Sequence, residues 1–302
     1  MTRARSNRAR VCAASVGAAS LALLIAAAAT ADEKAGAWTR LFNGRDLSGW
    51  ETWLGIPEKS TAGIDLPRDA DGRYAAPLGL NVDPKQVFTV VEVDGKPAIR
   101  ISGEIFGALT GQQEYDDFHL RLEFKWGEKK WPPRENVVRD SGILYYAVGP
   151  HGASPNKAWM RSLECQVQEH DVGDYWGVAG AIVDVAGERR SGADGKEPLI
   201  HFRKGAPTLT VEGPVPRAIK ALDNEKPTGE WNTVEVLCLH GTCVHAVNGK
   251  ANLVLTNPRQ PAESGVAPLR KGRLQIQTEG AEVFYRNIAV RPITEFPKAY
   301  RQ

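Results

Sequence analysis

Residues 162–170 read Ser162-Leu163-Glu164-Cys165-Gln166-Val167-Gln168-Glu169-His170, which alternates polar and apolar side chains with a period of two. A β-strand directs successive side chains to opposite faces, so this pattern predicts a strand with an apolar row on one side. The opposite row would hold carboxylate, amide and imidazole groups, which suit a ligand rich in hydroxyls, such as a sugar. Its members are Glu164, Gln166, Gln168 and His170.

Other stretches of the chain show the same two-residue period. Residues 118–126 alternate large apolar side chains with charged or polar ones, and His240-Gly241 separates two apolar segments as a hairpin turn would. No stretch beyond the N-terminal segment sustains a helical period of 3.6 residues. The sequence therefore predicts an all-β protein in which two antiparallel sheets pack face to face.

The first 31 residues predict an export signal. Four arginines lie within the first ten positions, an Ala/Leu-rich stretch follows, and Ala29-Thr30-Ala31 offers a cleavage site. An uncleaved anchor is the alternative, because the apolar stretch approaches the roughly 20 residues that span a bilayer. Cleavage predicts a single domain over residues 32–302, located in the periplasm or outside the cell, with long connections at about 54–84 and 176–227.

The charge and the motif content exclude several function classes. A formal net charge of +2 gives no reason to expect a nucleic-acid partner. No later stretch is apolar and long enough to predict stable membrane insertion. Phosphate-binding loops, dinucleotide fingerprints, Cys-x-x-Cys pairs, zinc-protease motifs and nucleophile elbows do not occur in the sequence.

Two of the cysteines lie symmetrically about the predicted hairpin turn. Cys238 and Cys243 would face each other across the two strands, where a disulfide is feasible in an exported protein. Two adjacent buried thiols are the alternative. Cys165 lies in the apolar row of its strand and is expected to be a small buried residue.

A second polar row is predicted near the C-terminus. Residues 273–279 alternate, and they place Gln275, Gln277 and Glu279 on one face. This row would complete the floor of a groove, whereas ordinary solvent-facing strand residues are the alternative.

Five motifs occur in an order that resembles a known family. They are residues 41–50 (Leu-Phe-Asn-Gly-Arg-Asp-Leu-Ser-Gly-Trp), residues 140–146 (Asp-Ser-Gly-Ile-Leu-Tyr-Tyr), Glu164-x-Gln166, residues 229–233 (Gly-Glu-Trp-Asn-Thr) and residues 284–288 (Phe-Tyr-Arg-Asn-Ile). The chain resembles, from Trp38 to about Ile293, the bacterial 3-keto-glucoside lyase and 3-keto-2-hydroxyglucal hydratase domains. This family was formerly domain of unknown function 1080 and is also described as 3-keto-disaccharide hydrolases.

The resemblance implies a concanavalin A-like jelly-roll sandwich with a carbohydrate site on its concave sheet. It also implies activity on glycosides that a separate oxidoreductase has already oxidised at C3. The family pattern Gly-x-Glu-x-Gln-Ile-x-Asp reads here with Ser162, Val167 and Glu169 at the glycine, isoleucine and aspartate positions.

A ketone at C3 acidifies the hydrogen on C2, so a base can remove this proton and the C1 substituent can leave by β-elimination. Such chemistry needs a base, a group that stabilises the enolate and an acid for the leaving oxygen. Glu164 is the leading candidate for the base, His170 is its rival, and Tyr145 could donate to the oxyanion. Gln166 and Gln168 are assigned to hydroxyl recognition, because an amide is not a base near neutral pH. Each of these side chains could instead have a structural role, with Glu164 as an ion-paired carboxylate, His170 as a solvated loop histidine and the others as ordinary strand residues.

No cofactor follows with certainty, and a divalent cation remains an option. Asp171 and Asp174 are the candidate ligands, and Trp176 beside them is a candidate for contact with a sugar, although Asp-x-x-Asp with a glycine also describes a plain turn. The main functional alternative is a non-catalytic carbohydrate-binding module, since the same groove suffices for recognition without reaction. A scaffold that binds another protein is the third reading.

Overall fold

The computed structural model describes residues 36–191 and 198–301. These described residues belong to one compact unit. The predicted export signal and its cleavage site lie outside the described residues. No helix within the described ranges has the length and apolar character needed to cross a membrane.

The described residues form twenty strands and one short 3-10 helix at Lys298–Tyr300. The strands are β1 (Thr39–Arg40), β2 (Trp50–Leu54), β3 (Gly79–Leu80), β4 (Phe88–Val93), β5 (Lys96–Ile101), β6 (Gly107–Tyr115), β7 (Phe118–Lys130), β8 (Asp140–Val148), β9 (Arg161–Gln168), β10 (Tyr175–Val178), β11 (Ile182–Arg190), β12 (Leu199–Phe202), β13 (Thr208–Val211), β14 (Arg217–Ile219), β15 (Asn232–Leu239), β16 (Thr242–Val247), β17 (Lys250–Ala262), β18 (Gly265–Pro268), β19 (Gly272–Thr278) and β20 (Ala281–Pro292).

The strands are arranged in two sheets. The front sheet has the order β3-β2-β6-β19-β8-β9-β10-β14-β12, antiparallel except for the parallel β12–β14 pair. The back sheet has the order β4-β5-β20-β7-β15-β16-β17-β11-β13, with β1 paired to β20 and β18 paired to β17. Strand β11 also pairs with β12 and so joins the two sheets at one edge.

The core lies between the two sheets. Leu163, Cys165 and Val167 of β9 and Leu120 and Leu122 of β7 are buried in the same apolar cluster, as their alternation predicts. Both strands thus direct one row of side chains into the core and the other row away from it. The structure confirms the predicted all-β, concanavalin A-like jelly-roll sandwich.

The hairpin between β15 and β16 turns at His240-Gly241, and both turn residues have positive φ. Cys238 and Cys243 face each other across this hairpin as predicted. Their sulfur atoms are 2.6 Å apart and both residues are free thiols, so the structure contains the adjacent buried thiols rather than the disulfide.

Of the two predicted long connections, one contains almost no strand in the structure and the other contains several. The connection predicted at 54–84 contains the two-residue strand β3, and its residues 55–78 contain no strand apart from an isolated bridge between Arg68 and Tyr74. The segment 176–227 contains most of β10 and all of β11 to β14, which corrects the expectation of a long connection there. Four of these five strands have three or four residues, which is too short for their period to be visible in the sequence.

Candidate functional site

A cavity of about 650 Å³ opens on the face of the front sheet that points away from the core. Three neighbouring strands, β19, β8 and β9, form its floor. Gly142 of β8 pairs with Gln166 of β9, and Ile143 pairs with Ile276, which places Gln277 beside Gly142. The cavity therefore lies over the middle of the sheet.

Six of the residues predicted from the sequence line this cavity together. Both polar rows contribute, because β8 lies between β9 and β19 and brings their outward faces together. The six residues are Glu164, Gln166, Gln168, Trp176, Gln277 and Glu279.

Gly142 gives the cavity its depth at the point where the two polar rows meet. A Cβ at this position would lie 2.9 Å from Cδ of Gln277 and still closer to Oε1 of Glu164, whereas real Cβ atoms essentially never come within 3.0 Å of another heavy atom. The side chains of Glu164 and Gln277 thus occupy space that only glycine leaves open.

Two further carboxyl groups lie near Glu164. Asp140 is only 3% exposed, and its Oδ2 accepts a hydrogen bond from Gln168 Nε2 at 2.5 Å and forms an ion pair with Arg134 Nη2 at 2.7 Å. Arg134 Nη1 also lies 3.8 Å from Oε1 of Glu279. Among the residues lining the cavity, Arg134 is the only cation beside the three carboxyl groups. We call Glu164, Asp140 and Glu279 the carboxyl cluster.

The surroundings raise the pKa of every member of the carboxyl cluster. Burial raises the pKa of Glu164 well above its ordinary value, the neighbouring charge of Asp140 adds to this, and a hydrogen bond from Gln277 opposes it. Burial raises the pKa of Asp140 to about 7, against the opposing effects of Arg134 and Gln168. Burial, Asp140 and Glu164 raise the pKa of Glu279, and Arg134 lowers it. The surroundings therefore favour the protonated form of each carboxyl group, and Asp140 exchanges its proton near neutral pH.

Two tryptophans form walls of the cavity. Trp159 donates its indole N–H to the Gly107 carbonyl at 2.8 Å, which fixes the ring. Trp176 lies on β10 directly opposite Glu164, with the Arg217 guanidinium 5.5 Å from its ring centre. Within the described part of the chain, the indole N–H of Trp176 has no hydrogen-bond partner. Aromatic walls over a polar floor are typical of sites for small polar ligands.

Tyr145 is not part of the cavity, which corrects the expectation that it contacts substrate. Its side chain is fully buried between the sheets, where its hydroxyl forms a 2.8 Å hydrogen bond with Nε2 of His245. It shares the core-facing side of β8 with Ser141, whose hydroxyl bonds to the Tyr285 hydroxyl. Tyr145 therefore connects the two sheets.

Gln275 and His170 are also outside the cavity. Gln275 is fully buried, accepts a hydrogen bond from the Met160 backbone and donates one to the Thr110 hydroxyl, so both ends of its amide have protein partners. His170 is exposed in the turn after β9 with a φ of 75°, and its backbone N–H donates to Glu225. The strand ends at Gln168, so the polar row does not extend to residue 170.

Asp171 and Asp174 form ion pairs instead of a metal site. Arg217 Nη2 lies 2.8 Å from Asp171 and 2.6 Å from Asp174, and the Lys220 backbone N–H donates to the second oxygen of Asp174 at 2.9 Å. An arginine of the chain thus occupies the position that the sequence assigned to a divalent cation. In the described ranges, no group of three or more His, Cys, Asp or Glu side chains is arranged to hold a metal ion.

The sequence reasoning missed Asp140, Gly142, Arg134 and Trp159 as parts of the site. Asp140 and Gly142 belong to a quoted motif, and their spacing of two places them on one face of a strand. Their position beside Glu164 follows only from the pairing of β8 with β9. Arg134 and Trp159 lie outside the strands, in segments without a periodic signal.

Comparison with solved structures finds similar all-β proteins. A candidate glycosyl hydrolase from Parabacteroides distasonis ATCC 8503 is 20% identical, with 85% of this chain and 94% of that chain covered and a TM-score of 0.48. A β-glucanase from Bacillus licheniformis is 10% identical, with 86% and 98% covered and a TM-score of 0.40. A carbohydrate-binding module from Bacillus subtilis is 9% identical, with 67% and 89% covered and a TM-score of 0.36.

Comparison with curated proteins gives no significant match. The family model described as the 3-keto-alpha-glucoside-1,2-lyase-like domain matches residues 37–291, which is most of the chain. It includes every strand of the cavity floor and the whole carboxyl cluster. This protein therefore belongs to the 3-keto-alpha-glucoside-1,2-lyase-like domain family and is carbohydrate-active.

Proposed function

We propose that this protein cleaves glycosides that carry a ketone at C3. The C2 proton is removed, the C1 substituent leaves by β-elimination, and addition of water to the resulting glycal gives net hydrolysis. The observation that carries this proposal is the carboxyl cluster, with Asp140 and Glu164 buried, in a cavity walled by two tryptophans.

The carboxyl cluster suits this reaction because elimination requires a proton to be taken from carbon and a proton to be given to oxygen. Glu164 is the central member, since it lies on the floor directly opposite Trp176 and is only 5% exposed. Burial that raises the pKa of a carboxyl group favours its protonated form, so Glu164 can hold a proton that the reaction transfers. Gln166 and Gln277 lie beside it, where their amides can bind the sugar hydroxyls.

The proposal includes the surroundings in which the reaction takes place. The ketone must be introduced by a separate oxidoreductase that acts at C3, because elimination at C1 depends on it. The N-terminal sequence supports export, so we place the reaction in the periplasm or outside the cell.

The test uses residues 32–302 and a 3-keto-glucoside or 3-keto-trehalose, with and without chelator, and follows release of the aglycone or sugar. We expect turnover by the wild type and, for 3-keto-trehalose or an alkyl 3-keto-glucoside, whose leaving oxygen needs a proton, a loss of about 100-fold or more in Glu164→Gln, with ligand binding retained. His170→Gln is the matched control, because this side chain lies outside the cavity. Binding without turnover in the wild type would instead identify a carbohydrate-binding module.

A further inference from the structure

Elimination from a 3-keto-glycoside needs two proton transfers in opposite directions, and the following inference rests on the proposed function. The cavity offers two buried carboxyl groups on adjacent strands, Asp140 of β8 and Glu164 of β9. Their surroundings differ, so they are suited to different halves of the reaction.

Asp140 has the partners that an ionised carboxylate needs. The Arg134 guanidinium lies 2.7 Å from Oδ2, and the Gln168 amide donates to the same oxygen. Oδ1 has no hydrogen-bond partner among the described residues, so one acceptor position of this carboxyl group is unused. The ion pair with Arg134 and the hydrogen bond from Gln168 both favour the anion over the neutral acid.

Glu164 has no comparable cation. Its carboxyl group is held over Gly142 against the Gln277 amide, and the like charge of Asp140 raises its pKa further. The carbonyl oxygen of Gln277 is buried and has no donor within the described ranges. A neutral Glu164 can supply a proton to an acceptor of this kind, whereas an ionised Glu164 cannot.

We infer that Asp140 accepts the C2 proton, that Glu164 donates its proton to the leaving C1 oxygen, and that Arg134 is a positioning residue that favours the ionised form of Asp140. The C2–H bond breaks, its electron pair forms the enolate, and the proton goes to Asp140. The enolate then forms the C1–C2 double bond and restores the C3 ketone as the C1–O bond breaks. The leaving oxygen takes the electron pair of that bond and the proton of Glu164. Proton exchange between the two carboxyl groups restores the starting state.

The charged groups that act on Asp140 come from several parts of the chain. Arg134 stabilises its anion, whereas Glu164, Glu279 and Asp171 oppose ionisation. Arg134 is thus the group whose removal should change the ionisation of Asp140 most.

The first experiment compares two aglycones. A 4-nitrophenolate leaves without needing a proton, whereas a methoxide needs one. For Glu164→Gln we expect cleavage of the methyl 3-keto-glucoside to fall by about 100- to 10,000-fold and cleavage of the nitrophenyl compound to stay within about tenfold of wild type. For Asp140→Asn we expect both to fall by about 100-fold or more, together with loss of deuterium exchange at C2.

The second experiment removes the charge of Arg134. Without the guanidinium Asp140 ionises only at higher pH, so the low-pH limb of kcat/KM should move to higher pH in Arg134→Gln. Arg134→Lys keeps a positive charge, and we expect it to restore most of the shift. If Arg134 had a purely structural role, its replacement would lower activity without moving the low-pH limb of kcat/KM.

The outcomes separate the two proposals. A wild type that neither exchanges the C2 hydrogen nor releases the aglycone removes the proposed function and this inference with it. With an active wild type, the assignment is overturned if Asp140→Asn still exchanges at C2. It is also overturned if Glu164→Gln lowers the cleavage of the nitrophenyl and methyl substrates equally. The same holds if the low-pH limb of kcat/KM in Arg134→Gln stays at its wild-type pH. Circular dichroism and thermal unfolding of each variant show whether it is folded.

Discussion

Gly142→Ala is the substitution that most sharply tests the geometry of the cavity floor. The added methyl group would meet Oε1 of Glu164 and the amide of Gln277 at distances that real structures do not contain. Moving the Glu164 oxygen out to the 3.4 Å of ordinary contact requires a shift of about 1 Å. Misplacement of a reacting group by this distance costs about 100-fold in rate. We therefore expect kcat/KM to fall by about 100-fold.

The matched control is Gly111→Ala on β6 of the same sheet. A Cβ there would have its closest neighbour at 3.6 Å, which is ordinary contact. The assay is aglycone release from a 3-keto-glucoside, with thermal unfolding measured in parallel. We expect both variants to fold and only Gly142→Ala to lose activity. Wild-type kcat/KM in folded Gly142→Ala would refute the reasoning, because Glu164 would then not need its present position.

Four further outcomes follow from the structure. Tyr145→Phe leaves its buried histidine partner unsatisfied, so urea unfolding should show a loss of about 1–3 kcal/mol with kcat/KM unchanged. His170→Ala should keep kcat/KM within about twofold, because its side chain is exposed in a turn outside the cavity. Asp174→Asn removes the buried partner of partly exposed Arg217, and we expect unfolding to become easier by about 2 kcal/mol. The pKa of Asp140 is raised from 3.8 to about 7 on folding, so its contribution to stability is present below about pH 4 and is lost as the pH rises to 7. Urea unfolding at pH 4, 5.5 and 7 should show a shallower decline in Asp140→Asn.

The sequence predicts the sandwich and part of the site because these depend on strands with one apolar row of side chains and one polar row. Leu163, Cys165 and Val167 are buried where the alternation places them, and the same period places Glu164 and Gln166 on the cavity floor. Such strands can be recognised without knowing which strands they pair with, because the local alternation of apolar and polar residues distinguishes the two faces.

The remaining parts of the site depend on long-range contacts that a local pattern does not contain. Strand β8 is buried on both faces over most of its length, so alternation alone does not show that Tyr145 faces the core. Gln275 lies in the predicted polar row, but the Met160 backbone and the Thr110 side chain take up its amide. The sequence around Asp174 predicts a metal ligand, whereas the structure places Arg217, from a strand distant in sequence, beside this carboxylate.

A crystal structure of Glu164→Gln with a bound 3-keto-glucoside tests the central claim most directly. We predict the sugar in the 650 Å³ cavity between Trp159 and Trp176, with C2 facing Asp140 and the C1 oxygen facing residue 164. A sugar bound elsewhere on the surface, with this cavity empty, would contradict the account.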